Sequence, residues 1–146
     1  MSTMEVSLAT VAVSIIIFVL ECWWNKKMHE RSLKSQYLMN LFGELFFEEL
    51  PCAKKNISFN GTTISGTEEI EKVLRELESR LIYLRSSNPT ACNILSIEIQ
   101  KLENHLKNNS GPSDVFSFVQ FYNQVDEYIE RIYGYINDMY LGKKIK

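Results

Sequence analysis

With 146 residues, the chain has room for an N-terminal membrane segment and one small domain. Sixteen Lys and Arg against eighteen Asp and Glu give a net charge of −2, which argues against bulk binding of nucleic acid. The cysteines Cys22, Cys52 and Cys92 are widely separated, include no CxxC, and are expected to be reduced and semi-buried in a cytoplasmic setting.

The first element is the stretch Val6 to Trp24, VSLATVAVSIIIFVLECWW, whose single charge, Glu21, lies near its end. About 20 mostly apolar residues match the hydrocarbon thickness of a bilayer when helical. A transmembrane helix is therefore expected, with Val6, Ile15, Ile16, Ile17 and Phe18 in the span and Trp23 and Trp24 as interfacial anchors. No Lys or Arg precedes the span, while Lys26, Lys27, Arg31 and Lys34 follow it, opposed by Glu30. Positive charge favours the cytoplasmic side, so the expectation is a single-pass protein of the inner (plasma) membrane with its N-terminus outside. The same four cations can contact anionic lipid head groups. Glu21 can snorkel to the interface rather than line a pore.

Two other readings of this stretch are a cleaved signal peptide and an unusually apolar core helix. The acidic start and the Glu21-Cys22-Trp23-Trp24 sequence make a poor signal peptide. Reversed topology would allow a Cys52–Cys92 disulfide and glycans at Asn56-Ile57-Ser58, Asn60-Gly61-Thr62 and Asn108-Asn109-Ser110.

The helix is expected to continue past Lys27. Leu38, Leu41, Phe42, Leu45, Phe46 and Glu49 share one face at helical spacing, and Pro51 is expected to stop it. In the connector 52–66, Asn60-Gly61 between Ile57-Ser58-Phe59 and Thr62-Thr63-Ile64 signals a type I′ hairpin turn, with an irregular loop as the alternative. A second helix follows, capped by Ser65 with Glu68 or by Thr67, with a stripe of Ile70, Leu74, Leu77, Leu81 and Leu84 widened by Val73 and Ile82. Asn88-Pro89 starts a third, striped by Ala91, Ile94, Leu95, Glu98, Ile99, Leu102 and Leu106 and ended by the turn residues 108–112.

The last helix starts from a Ser113 cap. Val115, Phe118, Tyr122, Val125, Ile129, Ile132, Ile136 and Met139 recur at alternating steps of three and four, a bundle or coiled-coil seam and a candidate interface. Gly142 is expected to end it. Phe116, Phe121, Tyr128, Tyr133, Tyr135 and Tyr140 lie off the seam, which points to burial on more than one side or to a partner interface. The expected fold is all-α: one N-terminal transmembrane helix (1–27) continuing into a cytoplasmic antiparallel bundle of about four helices (28–146).

No motif for chemistry emerges. There is no Glu-x-x-His, HExxH, P-loop, GxGxxG or GxSxG, and neither His29 nor His105 has an identifiable catalytic partner. The expectation is a non-enzymatic protein without cofactor or metal. The first reading is an oligomeric sensor or effector that rearranges a ring of spans on meeting a partner or small signalling ligand. The second is a membrane-anchored adaptor binding another protein. The third is a secreted, disulfide-bonded helical signalling protein. In its order of parts — anchor, basic collar, aromatic helix ending near Pro51, helical domain — the chain resembles small bacterial membrane proteins of anti-phage defence. These include abortive-infection proteins and single-span effectors that bind cyclic oligonucleotides. The resemblance implies a membrane-disrupting effector and assigns no residue a role.

Overall fold

The computed structural model describes residues 3–108 and 114–143, with side chains from Ser14 onward. Contacts divide the chain into two units, residues 1–36 and 37–146, where the sequence suggested a boundary after Lys27.

The first helix, α1 (Thr3–Glu44), forms the first unit and contributes its last residues to the second. Every side chain from Ser14 to Lys34 is exposed. Among the described residues no helix is long and apolar enough to cross a membrane. The side chains of Val6 to Val13, the first part of the expected span, lie outside the described residues. From Ser14 the apolar run reaches Trp24 and then meets Lys26 and Lys27.

Among its described residues the second unit carries helices and one hairpin. Its core is a single cluster running from Leu38 to Ile136. After α1 the backbone widens into one π-turn, Leu45–Glu49, in which the Leu50 N–H bonds the Leu45 carbonyl five residues back. The helix then resumes as α2 (Leu50–Lys55), so Pro51 does not stop it. A proline ring inside an α-helix strikes the carbonyl four residues earlier. The extra residue per turn moves that carbonyl away. It leaves the Phe46 carbonyl facing a residue with no N–H, and the Tyr133 hydroxyl donates to that carbonyl instead.

The hairpin pairs β1 (Ser58–Phe59) with β2 (Ile64–Ser65), in the register Ser58 opposite Ser65. Its turn is longer than the expected two residues. The Asn60 side-chain oxygen accepts from the backbone N–H of Thr62 at 3.1 Å and of Thr63 at 2.9 Å, and the Asn60 N–H donates to the Thr63 carbonyl. This Asx-type geometry organises the loop. The Phe59 ring stacks on Phe118 at 5.2 Å and docks the hairpin on the last helix.

Helix α3 (Thr67–Arg85) is preceded by Gly66 at φ +83°, with no side-chain cap. The expected Ser65 or Thr67 cap is absent because the chain enters through a left-handed residue packed against the Asn56 carbonyl, where a Cβ would sit 2.0 Å from its oxygen. Helix α4 (Pro89–Asn108) starts as expected, with the Ala91 N–H donating to the Asn88 side chain at 3.1 Å. Helix α5 (Val115–Tyr140) is capped by Asp114, which accepts from the Ser117 N–H at 2.7 Å. Ser113 lies outside the described residues. At the far end the Gly142 N–H bonds the Met139 carbonyl and the Lys143 N–H bonds the Asp138 carbonyl. This paired arrangement with Gly142 at φ +66° is a Schellman ending. α3 packs on α4, α4 on α5, and α2 with the π-turn on α3.

Candidate membrane-contact and interaction surfaces

The first surface is on α1. Ile15, Ile16, Ile17, Phe18, Val19 and Leu20 are each 50–66% exposed. Six successive residues at 100° each go more than once around the helix, so at this level no side is polar. In water such an array forgoes roughly 5–10 kcal/mol of apolar transfer energy. An exposed apolar patch of this kind marks a contact with lipid or with protein.

At its end the character changes abruptly. Trp23 and Trp24 are exposed, and the Lys27 ammonium lies 4.8 Å over the Trp23 ring. Trp24, Lys27, Met28 and Arg31 line a hollow of about 80 Å³. Lys26 and Lys34 are exposed but outside it. Of the expected span residues, Ile15 to Phe18 and both tryptophans have described side chains, and Val6 does not.

The second surface is on α5. Val125, Ile129, Ile132 and Ile136 of the seam are buried within the chain's own core. Phe118, Tyr122 and Met139 are partly buried against it. Val115 is 67% exposed. The seam thus serves the bundle itself along most of its length. Its first turns are out of phase: Phe121, expected off the seam, is buried. Above that point Val115, Phe116 and Val119 form an exposed apolar group. Ile82, expected to widen the α3 stripe, is also exposed.

Polar groups in the bundle are mostly satisfied by one another. Lys54 pairs with Asp126 and lies 5.0 Å over the Tyr122 ring, joining α2 to α5. An open groove of about 700 Å³ between α3 and α4 is lined by Glu78, Arg85, Cys92 and Ser96 among others. There the Ser96 hydroxyl donates to Glu78 and the Cys92 thiol to the Leu81 carbonyl, each at 3.3 Å. All three cysteines are free thiols. His105 is half-buried, its ring stacked on Phe121 at 5.0 Å.

Glu98, which the sequence places on the apolar stripe of α4, is 6% exposed. It meets Lys101 Nζ at 2.6 Å and Arg131 Nε at 3.5 Å. A carboxylate on an apolar stripe was the available signal for this buried group, whose two cationic partners are exposed. Among the described residues no group of three or more His, Cys, Asp or Glu could hold a metal ion. Burial raises the Tyr133 and Tyr140 phenols above their ordinary range. Hydrogen bonds from the Ser117 backbone and side chain lower the Asp114 carboxyl. Compared with protein-family models, curated proteins and solved structures, the chain matches none of them.

Proposed function

We propose that the chain is a membrane-anchored helical protein acting without chemistry of its own, as an oligomeric sensor or effector at the inner membrane. The segment Val6–Trp24 crosses the bilayer with the N-terminus outside, and the helical domain sits in the cytoplasm. The observation that carries this reading is the exposed apolar girdle Ile15–Leu20, closed at one end by two tryptophans and a basic collar. A bilayer buries such a girdle on all sides at once. Rearrangement of several spans would disrupt the membrane, the mode of action that the overall layout suggests.

Alkaline extraction of membranes from cells making the full chain tests the anchor. Wild type is expected in the pellet, and Ile16→Lys combined with Ile17→Lys in the supernatant. Wild type in the supernatant refutes the anchor. Labelling of Cys52, which is exposed, is expected only from the cytoplasmic side. Crosslinking in intact membranes is expected to give oligomers; monomer alone at native abundance refutes the oligomeric part. Growth arrest on overexpression, lost in the same double variant, supports membrane disruption.

The adaptor reading draws on the exposed group Val115, Phe116 and Val119. It predicts that a stoichiometric protein co-purifies and is lost on Phe116→Glu. The secreted reading gains nothing from Cys52 and Cys92, which are separate free thiols.

A further inference from the structure

We infer that Trp24, Lys27 and Arg31 form a cradle for the phosphate group of an anionic lipid, while Lys26 and Lys34 contribute only diffuse charge. The inference rests on the membrane reading above and gives it a specific ligand. Residues 24, 27, 28 and 31 are spaced by three and four, so they share one side of α1. They line an open hollow of about 80 Å³ on that side, with two cationic side chains at its edge. Trp24 and Met28 supply apolar walls.

The two cations are free to take an anion. Neither Lys27 nor Arg31 is in an ion pair with a carboxylate among the described residues. The Trp23 ring beneath the Lys27 ammonium restrains it without neutralising it. Arg31 adds a planar fork that matches phosphate oxygens, and Lys27 adds a point charge. Lys26 lies about 200° around the helix from Trp24. Lys34 lies near that side but almost a turn beyond Arg31, outside the hollow.

Depth selects a lipid over a soluble phosphate compound. Trp24 follows Leu20 by about 6 Å along the axis and Lys27 by about 10 Å. With Ile15–Leu20 in hydrocarbon, that is the level of the head groups. The cradle is also continuous with the apolar girdle, so one lipid can lay its acyl chains along Ile17 and Leu20 and its phosphate against Lys27 and Arg31.

The test uses the chain's own reporters. Trp23 and Trp24 are its only tryptophans, and both sit at this boundary. The full chain is placed in nanodiscs of phosphatidylcholine containing a minor fraction of a lipid brominated high on its acyl chains, either phosphatidylglycerol or phosphatidylcholine. Bromine quenches the nearest tryptophans, so quenching measures which lipid sits beside them. Brominated phosphatidylglycerol is expected to be enriched over its zwitterionic counterpart by about fivefold or more. Lys27→Gln with Arg31→Gln is expected to abolish the enrichment. Lys26→Gln with Lys34→Gln removes the same charge and is expected to retain most of it. All four side chains are exposed, so neither double variant disturbs folding. Equal losses in the two double variants would show bulk attraction and overturn the cradle. So would equal quenching by both lipids in the wild type. No quenching by either lipid would overturn the membrane reading itself.

Discussion

Tyr133→Phe removes one hydroxyl with a specific structural task. Pro51 has no N–H, and in the π-turn geometry the group it fails to serve is the Phe46 carbonyl, five residues back. The Tyr133 hydroxyl donates to that carbonyl across 87 residues of sequence. Its ring also lies 5.3 Å from the Phe46 ring, a contact that phenylalanine keeps. The substitution therefore isolates the hydrogen bond. A polar group left unsatisfied in a part-buried site costs about 1–3 kcal/mol. With the Phe46 residue only 2% exposed, water has poor access and the expected cost is about 1.5 kcal/mol, or roughly 3–6 °C in Tm for a chain of this size. Pro51→Ala restores an N–H that can serve the Phe46 or Phe47 carbonyl. In that background Tyr133→Phe is expected to cost about 0.5 kcal/mol or less, a coupling of about 1 kcal/mol in the double-mutant cycle. Urea unfolding followed by far-ultraviolet circular dichroism reads all four corners, since both tryptophans belong to the other unit. An equal cost of Tyr133→Phe in both backgrounds refutes the assignment.

The same phenol sets an alkaline limit. Burial raises Tyr133 and Tyr140 above the ordinary value of 10.0, so their contribution is complete below pH 10 and lost as pH rises through the raised folded-state values. The urea midpoint is expected to fall as pH rises above about 10, and to fall less in Tyr133→Phe. The lowered Asp114 works in the opposite sense: its contribution holds above its ordinary value of 3.8 and is lost as pH falls through the lower folded value, so Asp114→Ala is expected to flatten the acid limb of the same titration. Gly66→Ala places a Cβ 2.0 Å from the Asn56 carbonyl oxygen at φ +83° and is expected to cost about 2–4 kcal/mol. Gly61→Ala, at φ +96° with open space around it, is expected to cost about 1 kcal/mol, and comparable losses at the two sites would refute the role of the Asn56 contact. A chain starting at Ser35 is expected to keep a cooperative unfolding transition within a few degrees of the full chain and to leave the membrane fraction; loss of cooperativity would show that the first unit is needed for folding.

The helices of the second unit are legible in the sequence because their apolar stripes are regular and their ends carry strong local chemistry. Asn88-Pro89 and Gly142 do what their residue types dictate locally, without help from distant groups. The sequence fails where a distant partner decides. Pro51 reads as a stop until a hydroxyl from α5 is available to satisfy the carbonyl it strands. Gly66 reads as a neutral spacer beside two better capping residues until the Asn56 carbonyl fills the space where a Cβ would be. On α5 the apolar stripe is buried from Val125 to Ile136 and slips at its start, where Phe121 takes the core position instead of Tyr122. Phe118 and Tyr122 instead engage the hairpin and Lys54, neither of which a heptad count contains. On α1 the four cations and their spacing were legible, and the structure adds the hollow that Lys27 and Arg31 share with Trp24 and Met28.

The core itself gives the strongest reason to assign the N-terminal helix a role outside folding. Among the described residues the core cluster begins at Leu38, and the partly buried residues that pack on it begin at Leu41. None comes from the first unit. The bundle therefore closes its interior with residues of its own, and the girdle Ile15–Leu20 adds nothing to that closure. A surface helix that merely solubilised a domain would carry charges on its exposed sides. This one carries none from Ser14 to Leu20 and then takes on four cations between Lys26 and Lys34. Apolar residues without a polar side, followed by four cations against the single acid Glu30, form two zones about 10–20 Å apart along one axis. A second copy of the chain could cover part of the first zone, but by itself it would bring no counter-charge to the second. An anionic bilayer satisfies both, because hydrocarbon and phosphate lie at the same separation in its cross-section.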